Sequence, residues 1–304
     1  MQEVAIQIEG VSKTYGKTRA LESLSLSIAP GTLFGLIGPD GAGKTTLIRI
    51  LATLLLPTEG NATMQGYDVV QEYRQIRKLI GYMPGTFSLY QDLSIEENIQ
   101  LFAIIFGNRI EDNYDMIRDI YVQIEPFKKR KAGALSGGMK QKLALCCALI
   151  HKPEVLLLDE PTTGVDAVSR REFWDMLATL KQHDITILVS TPYMDEALRC
   201  EEIALIQHGR ILEVNTPQAI MNAFPHPLFG IETREAFRAL QLLRKHPAAH
   251  SVYPFGDRIH FATQDEHLSP DVLAEWLRPK GLGSVHIEPI QPGIEDCFME
   301  RMVS

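Results

Sequence analysis

Residues 38 to 45 read Gly38-Pro39-Asp40-Gly41-Ala42-Gly43-Lys44-Thr45. A glycine, four residues and then Gly-Lys-Thr is the spacing of a loop that wraps the phosphates of a nucleotide. Glycines let successive backbone N–H groups turn inward toward an anion, and a helix starting inside the motif adds the partial positive charge of its N-terminus. Lys44 reaches the outer phosphates, and the Thr45 hydroxyl is a hard oxygen donor suited to Mg²⁺. The run from Gly38 to Thr46 is therefore the candidate contact set for a nucleoside triphosphate. A second carboxylate-bearing motif is Asp159-Glu160, which ends the apolar run Val155-Leu156-Leu157-Leu158. An aspartate there can orient Mg²⁺, and a glutamate beside it can act as general base toward an attacking water.

These groups need a scaffold. Leu33-Phe34-Gly35-Leu36-Ile37 is a short apolar run and predicts a buried strand leading into the loop. Leu47, Leu51 and Leu54, with Ile48 and Leu55 beside them, recur at helical spacing and predict a helix leaving it. Val4 to Glu9 and Leu24 to Ile28 alternate apolar and polar residues as strands do, the second closed by Ala29-Pro30-Gly31. Residues 89 to 150 are mostly helical in pattern, one segment opening with Ile95, Asn98, Ile99 and Phe102. Val155 to Leu158 and Thr186 to Ser190 are further strands, with a helix from Ser169 to Gln182 between them. Strands alternating with helices predict an α/β fold of the P-loop NTPase type, with a mostly parallel sheet and a helical subdomain.

The composition shifts near Pro225-His226-Pro227, dividing the chain into residues 1–224 and 225–304. Beyond the shift the pattern is strand (Leu228 to Glu232), helix (Arg234 to Lys245), strand (Val252 to Phe255), strand (Arg258 to Thr263), helix (Pro270 to Leu277) and strand (Ser284 to Ile290). That order predicts a small α+β, ferredoxin-like accessory domain.

The 304-residue chain carries 30 Lys and Arg against 38 Asp and Glu, a net charge of −8 that disfavours nucleic acid as a partner. Cys146, Cys147, Cys200 and Cys297 form no CxxC pair, and the first two lie in an apolar run that predicts burial. Met1-Gln2-Glu3-Val4 has no basic lead into an apolar stretch, and no apolar run approaches the roughly 20 residues of a membrane helix. A cytoplasmic location is expected, with membrane association coming through a partner.

Leu135-Ser136-Gly137-Gly138-Met139-Lys140-Gln141, placed ahead of Val155 to Pro161-Thr162, resembles the signature of the ATP-binding cassette (ABC) family. Residues 1 to about 220 follow that family's motif order. The resemblance implies ATP and Mg²⁺ as ligands, with Thr45 and Asp159 on the metal and Lys44 and Glu160 as catalytic groups. Tyr15 fits the aromatic that stacks on adenine, and Gly164-Val165-Asp166 fits a loop at the dimer interface. Ser136, Gly137 and Gly138 open a helix whose two exposed glycines offer backbone donors, which in this family serve the nucleotide held by the other subunit of a head-to-tail dimer. Pro292-Gly293-Ile294-Glu295-Asp296-Cys297-Phe298 is similar to the ending of ATPase subunits of ABC-2-type exporters, which move drugs, polysaccharides or lipids. That implies a separate permease subunit at the inner face of the membrane, met by the surface from Thr86 to Ile99.

Two positions depart from the family. Its Q-loop glutamine follows Ile80-Gly81-Tyr82-Met83-Pro84, where this chain has Gly85. Its switch histidine follows Val189-Ser190-Thr191, where this chain has Pro192, which has neither a side-chain donor nor a backbone N–H. Gln91 and His183 are the nearby candidates to replace them, and neither is well placed in sequence. One lost polar contact to a transition state typically costs about 10²–10³ in rate. The expectation is a site that binds ATP and turns over slowly, paired in a heterodimer with a fully equipped ATPase. A homodimer with compensated sites, a regulatory ATP-binding module, and a translation or repair ATPase of the same superfamily are the alternatives. The single cassette and the acidic balance disfavour the last.

Overall fold

The computed structural model describes residues 4–303. Met1-Gln2-Glu3, on which the reading of the N-terminus partly rests, lie outside the described residues. The chain divides into two compact units, Met1–Pro217 and Gln218–Ser304.

The first unit opens with the antiparallel strands β1 (Ile6–Tyr15) and β2 (Thr18–Ile28). Both are longer than the alternation predicts. Gly10, at φ +60°, breaks the β1 pattern at a register shift between Ile8 and Val11, and the strand resumes beyond it. Strand β3 (Leu33–Ile37) is fully buried and feeds helix α1 (Lys44–Leu51). The helix stops a turn earlier than the leucine spacing predicts. Thr53 sits at φ +59° and Leu54 is 57% exposed, so a left-handed residue ends the helix before Leu54 can face the core.

Strands β4 (Glu59–Met64) and β5 (Tyr67–Asp68) complete the small sheet, ordered β2-β1-β4-β5. Helix α2 (Tyr73–Leu79) leads to β6 (Ile80–Met83). The helical part follows with α3 (Ile95–Ile105), α4 (Tyr114–Tyr121) and α5 (Gly137–Leu149). A reciprocal Ser94–Glu97 capping box starts α3.

Strand β7 (Val155–Asp159), helix α6 (Ala167–Leu180) and strand β8 (Thr186–Thr191) come next, then the hairpin β9 (Glu202–Gln207) and β10 (Arg210–Asn215). Asp166 caps α6 with its carboxylate and starts it two residues ahead of the predicted Ser169. The main sheet is ordered β10-β9-β3-β8-β7-β6, and every pair except β10–β9 is parallel. Its core joins Phe34, Leu36, Leu157 and Leu188 to Leu47 and Ile48 of α1. On α5, Cys146 and Cys147 are buried free thiols, and burial pushes their ionisation well up, so they behave as small apolar side chains.

Helix α7 (Pro217–Asn222) begins at the unit boundary. The second unit then runs β11 (Leu228–Thr233), α8 (Ala236–Leu243), β12 (Ala249–Phe255), β13 (Arg258–Thr263), α9 (Pro270–Leu277), β14 (Val285–Pro289) and α10 (Ile294–Val303). Its strands are ordered β12-β13-β11-β14, all antiparallel, which is the order of a split βαβ unit. Phe229, Ile231, Phe261, Leu273 and Leu277 form its core.

Candidate nucleotide-binding site

The loop after β3 is shaped by close backbone approach. A Cβ on Gly38 would lie 2.1 Å from the Ile206 carbonyl oxygen, and one on Gly43 would lie 2.6 Å from that of Ala20. Gly43 also sits at φ +108° as the residue before α1, a conformation closed to other residues. The loop is thus pressed between β9 and β2, and Gly209 N–H donates to the Ala42 carbonyl at 2.9 Å. Asp40 and Gly41 are exposed at its crest, with Pro39 part-buried, while Thr46 is half-buried in the first turn of α1.

Lys44 is 3% exposed. Its Nζ donates to the carbonyls of Gly38 at 2.8 Å and Pro39 at 3.0 Å, and lies 3.1 Å from Glu160 Oε1. Thr45 Oγ1 donates to Asp159 Oδ1 at 3.0 Å. The structure therefore brings Lys44, Thr45, Asp159 and Glu160 together across 114 residues of sequence. Two hard oxygen donors in contact, with one cation beside them, form a set that fits Mg²⁺ and a polyphosphate.

Strand register makes this meeting possible. Ile37 of β3 pairs with Thr191 of β8, and Asp159 of β7 pairs with Ser190. Ser190 Oγ donates to Asp159 Oδ1 at 2.8 Å and accepts from Glu160 N–H at 3.0 Å, while Glu160 N–H also reaches the Ser190 carbonyl at 3.1 Å. Glu160 is held at φ +50°, a left-handed conformation that aims its carboxylate back toward Lys44. Ser190 has no signal in the sequence beyond its place near the end of an apolar strand. Burial and the neighbouring Asp159 charge raise the Tyr82 phenol above its ordinary value, so it is neutral beside these carboxylates.

The two unusual positions lie at the ends of the neighbouring strands. Met83 of β6 pairs with Leu158, so two more residues bring Gly85 abreast of Glu160. A Cβ at Gly85 would lie 3.0 Å from the Asp159 carbonyl and 3.9 Å from Glu160 Cβ. A side chain there would start beside the Asp159–Glu160 backbone, and this chain has none. Pro192 follows β8 directly, where Thr191 Oγ1 donates to the buried Glu196 at 2.5 Å and accepts from Tyr193 N–H at 3.1 Å. Gln91 is turned elsewhere: its carbonyl accepts from Gly133 N–H at 2.9 Å, and its Oε1 lies 3.6 Å from where Gly133 would carry a Cβ. His183 is exposed before the start of β8, at the opposite end from Pro192 and roughly 20 Å away along the strand.

Other expected groups stand apart from the loop. Tyr15 is 46% exposed where the β1–β2 hairpin turns, paired with Thr18 and with Lys13 Nζ 5.4 Å from its ring centre. The hairpin reaches the loop at Ala20, not at Tyr15. Ser136 caps α5, accepting from Met139 N–H at 3.4 Å. The expectation of two exposed glycines in that helix start needs correction. Gly137 is exposed, but Gly138 is buried, with Ser169 Oγ 2.5 Å from where its Cβ would be. Its absent side chain lets α5 meet α6. Among the described residues no hydrogen bond joins Ser136, Gly137 or Gly138 to the phosphate loop. Asp166 accepts from the Ser169 amide at 3.0 Å and the Val168 amide at 3.1 Å, which holds its carboxyl below the usual range.

Known proteins similar to this chain identify its family. The sequence profile of the ABC transporter family matches residues 21–163. The chain is 36% identical over 309 residues to the probable multidrug ABC transporter ATP-binding protein YbhF of Escherichia coli K12, covering 99% of this chain and 53% of that protein. It therefore spans about half the length of that relative. It is 33% identical over 307 residues to the Nod factor export ATP-binding protein I of Rhizobium sp. N33, covering 98% of this chain and 97% of that one. Among solved structures, the dimeric post-hydrolysis cassette MJ0796 bound to ADP and Pi is similar with a TM-score of 0.63 and 27% identity, over 69% of this chain and 98% of that chain.

Proposed function

The chain belongs to the ABC transporter ATP-binding proteins, and on that footing we propose that it is the ATP-driven motor subunit of an ABC-2-type exporter, with its own site slowed at Gly85 and Pro192. The observation that carries this reading is the cluster of Lys44, Thr45, Asp159 and Glu160 at the strand ends, beside a position 85 with no side chain.

In this reading the backbone N–H groups of residues 38–46 and Lys44 hold the phosphates of ATP, and Tyr15 stacks on the base. Thr45 and Asp159 hold Mg²⁺, which when bound neutralises charge on the phosphate oxygens. Glu160 orients the attacking water and takes its proton as the bond from the γ-phosphorus to the β-phosphate oxygen breaks, giving ADP and phosphate. Ser190 is a positioning residue that fixes Asp159 and the Glu160 backbone. The exposed helix start at Ser136 and Gly137 completes the nucleotide site of a second ATPase subunit. A heterodimer with a fully equipped partner suits the two losses; a homodimer is the alternative. The groove of about 310 Å³ lined by Tyr82, Phe87, Leu89 and Phe102 suits a helix of a permease subunit. No helix among the described residues is long and apolar enough to cross a membrane, so the permease would hold the chain at the inner face. Gly85 and Pro192 also favour a second reading, a regulatory ATP-binding module with little turnover.

The test is steady-state ATPase activity of the purified chain beside Glu160→Gln, with ATP binding measured in parallel. Tight binding with negligible turnover is expected. Glu160-dependent turnover at the ordinary 1–100 s⁻¹ scale of phosphoryl-transfer enzymes, roughly, would overturn the slowed site. Failure to bind ATP would overturn the motor and the module alike.

A further inference from the structure

The second unit holds a cluster that the nucleotide chemistry does not use. His226 precedes β11, His250 lies on β12 and Glu300 lies on α10, and their ligand atoms all fall within 4.8 Å of one another. His250 Nε2 is 2.8 Å from Glu300 Oε2, and His226 Nε2 is 3.6 Å from Glu300 Oε1. All three side chains are mostly buried, at 20%, 17% and 13% exposure for His226, His250 and Glu300.

Ion pairing alone describes this arrangement poorly. The two imidazole rings lie 3.9 Å apart at a 38° tilt, so charging both would set like charges side by side in a part-buried place. The 3.6 Å separation also exceeds a hydrogen bond. A divalent cation between the three groups resolves both difficulties. Two neutral imidazoles would turn lone pairs inward, and one carboxylate would supply the charge. Zinc bonds nitrogen and oxygen at about 2.0–2.2 Å, and a tetrahedral centre then spaces its donors on the order of 3.3–3.5 Å. The two imidazoles approach different oxygens of Glu300, at 2.8 and 3.6 Å, and one donor from each of the three residues falls within 4.8 Å of the others, close enough to be drawn onto one ion.

The surroundings agree. Gln264 Nε2 lies 3.4 Å from His250 Nδ1. Turning that amide over presents its oxygen to Nδ1–H, the outer partner that a metal-bound imidazole takes. One turn earlier on α10, Asp296 offers the contrast of a satisfied structural contact. It meets His260 Nδ1 at 2.8 Å and Gly293 N–H at 2.8 Å, and His260 is stacked on Phe255. One imidazole serves one carboxylate there, whereas at Glu300 two imidazoles share one.

We propose that His226, His250 and Glu300 form a site for a zinc-class divalent cation that fastens α10 to the sheet of the second unit. Imidazole nitrogens disfavour Mg²⁺ and Ca²⁺, which take oxygen ligands, and suit Zn²⁺. The site is independent of the ATPase reading.

The experiment strips the full-length chain with a chelator and titrates it, without nucleotide, with ZnCl₂ and separately with CoCl₂. One Zn²⁺ per chain is expected, with a raised unfolding midpoint, and Co²⁺ should give the visible d–d bands of a tetrahedral nitrogen–oxygen site. H226Q and H250Q should each weaken binding by about 100-fold, and Gln264→Leu by about tenfold. Should H250Q fail to fold, H226Q and the cobalt spectrum still decide. Absence of stoichiometric binding, undiminished affinity in H226Q, or thiolate-to-cobalt charge-transfer bands pointing to the cysteines would each overturn the proposal.

Discussion

The strands β3, β8, β7 and β6 lie side by side in parallel, and their carboxyl ends divide into two kinds. Those of β3 and β7 run into the phosphate loop and into Asp159-Glu160, and their side chains contact one another at 3.0–3.1 Å. Those of β8 and β6 run into Pro192 and Gly85, which contribute no side-chain polar group. In the proposed reading the groups that would hold phosphate and metal are present, while the other two strand ends carry no polar side chain at positions 85 and 192. In that reading ATP binding can persist where turnover is slowed, because the two bare positions lie outside the loop that holds the nucleotide.

The largest effect should come from equipping the bare ends. Gly85→Gln with Pro192→His is expected to raise steady-state ATPase turnover by about 10²–10³-fold. Gly85→Gln alone should do less, because its Cβ would lie 3.0 Å from the Asp159 carbonyl and the strand end must give slightly. Unchanged turnover in the double variant would mean that the two kinds of strand end do not differ in catalytic consequence.

Breaking the equipped side comes next. Lys44→Ala should weaken ATP binding by about 10–100-fold, read by equilibrium titration, since a charge-assisted contact is worth about 1.5–3 kcal/mol. Normal affinity in that variant would remove the loop from the binding account. Ser190→Ala should slow Glu160-dependent turnover by about tenfold with ATP affinity little changed, because the hydroxyl orients Asp159 and the Glu160 amide without being placed on the nucleotide. A matching loss of affinity would make Ser190 a binding group.

The smallest effect tests how β6 is anchored. His151 stacks on Phe106 at 3.7 Å, and its Nε2 is 2.9 Å from the Ile80 carbonyl at the start of β6. Burial lowers its pKa below the ordinary 6.5, so the unfolded chain binds the proton more readily. This contribution to stability is present above pH 6.5 and is lost as pH falls below it, with a slope of at most about 1.4 kcal/mol per pH unit. Chemical denaturation across that range should show the slope in the parent chain and a flatter profile in His151→Gln.

Much of the scaffold was legible from the sequence. The apolar runs at Leu33–Ile37 and Val155–Leu158 are strands because they are buried on both faces, and such runs need no tertiary information to be recognised. The alternating strands and amphipathic helices of the second unit were equally readable. Helix α1 was misjudged in length because spacing alone cannot register the left-handed turn at Thr53. Gly138 was misjudged in exposure because its neighbour, Ser169, lies on another helix.

By itself the sequence determined the chemistry available to this protein: a glycine loop with Lys44 and Thr45, an acidic pair behind an apolar strand, and the absence of polar side chains at positions 85 and 192. Such motifs are local, since each depends on residue types within a few positions. Only the tertiary structure decided that Lys44 meets Glu160, that Ser190 serves Asp159, and that Gly85 stands abreast of the acidic pair. Those meetings depend on the register between parallel strands far apart in sequence. The same is true of His226, His250 and Glu300, which converge only because the split βαβ sheet brings β12, the segment before β11 and α10 to one place.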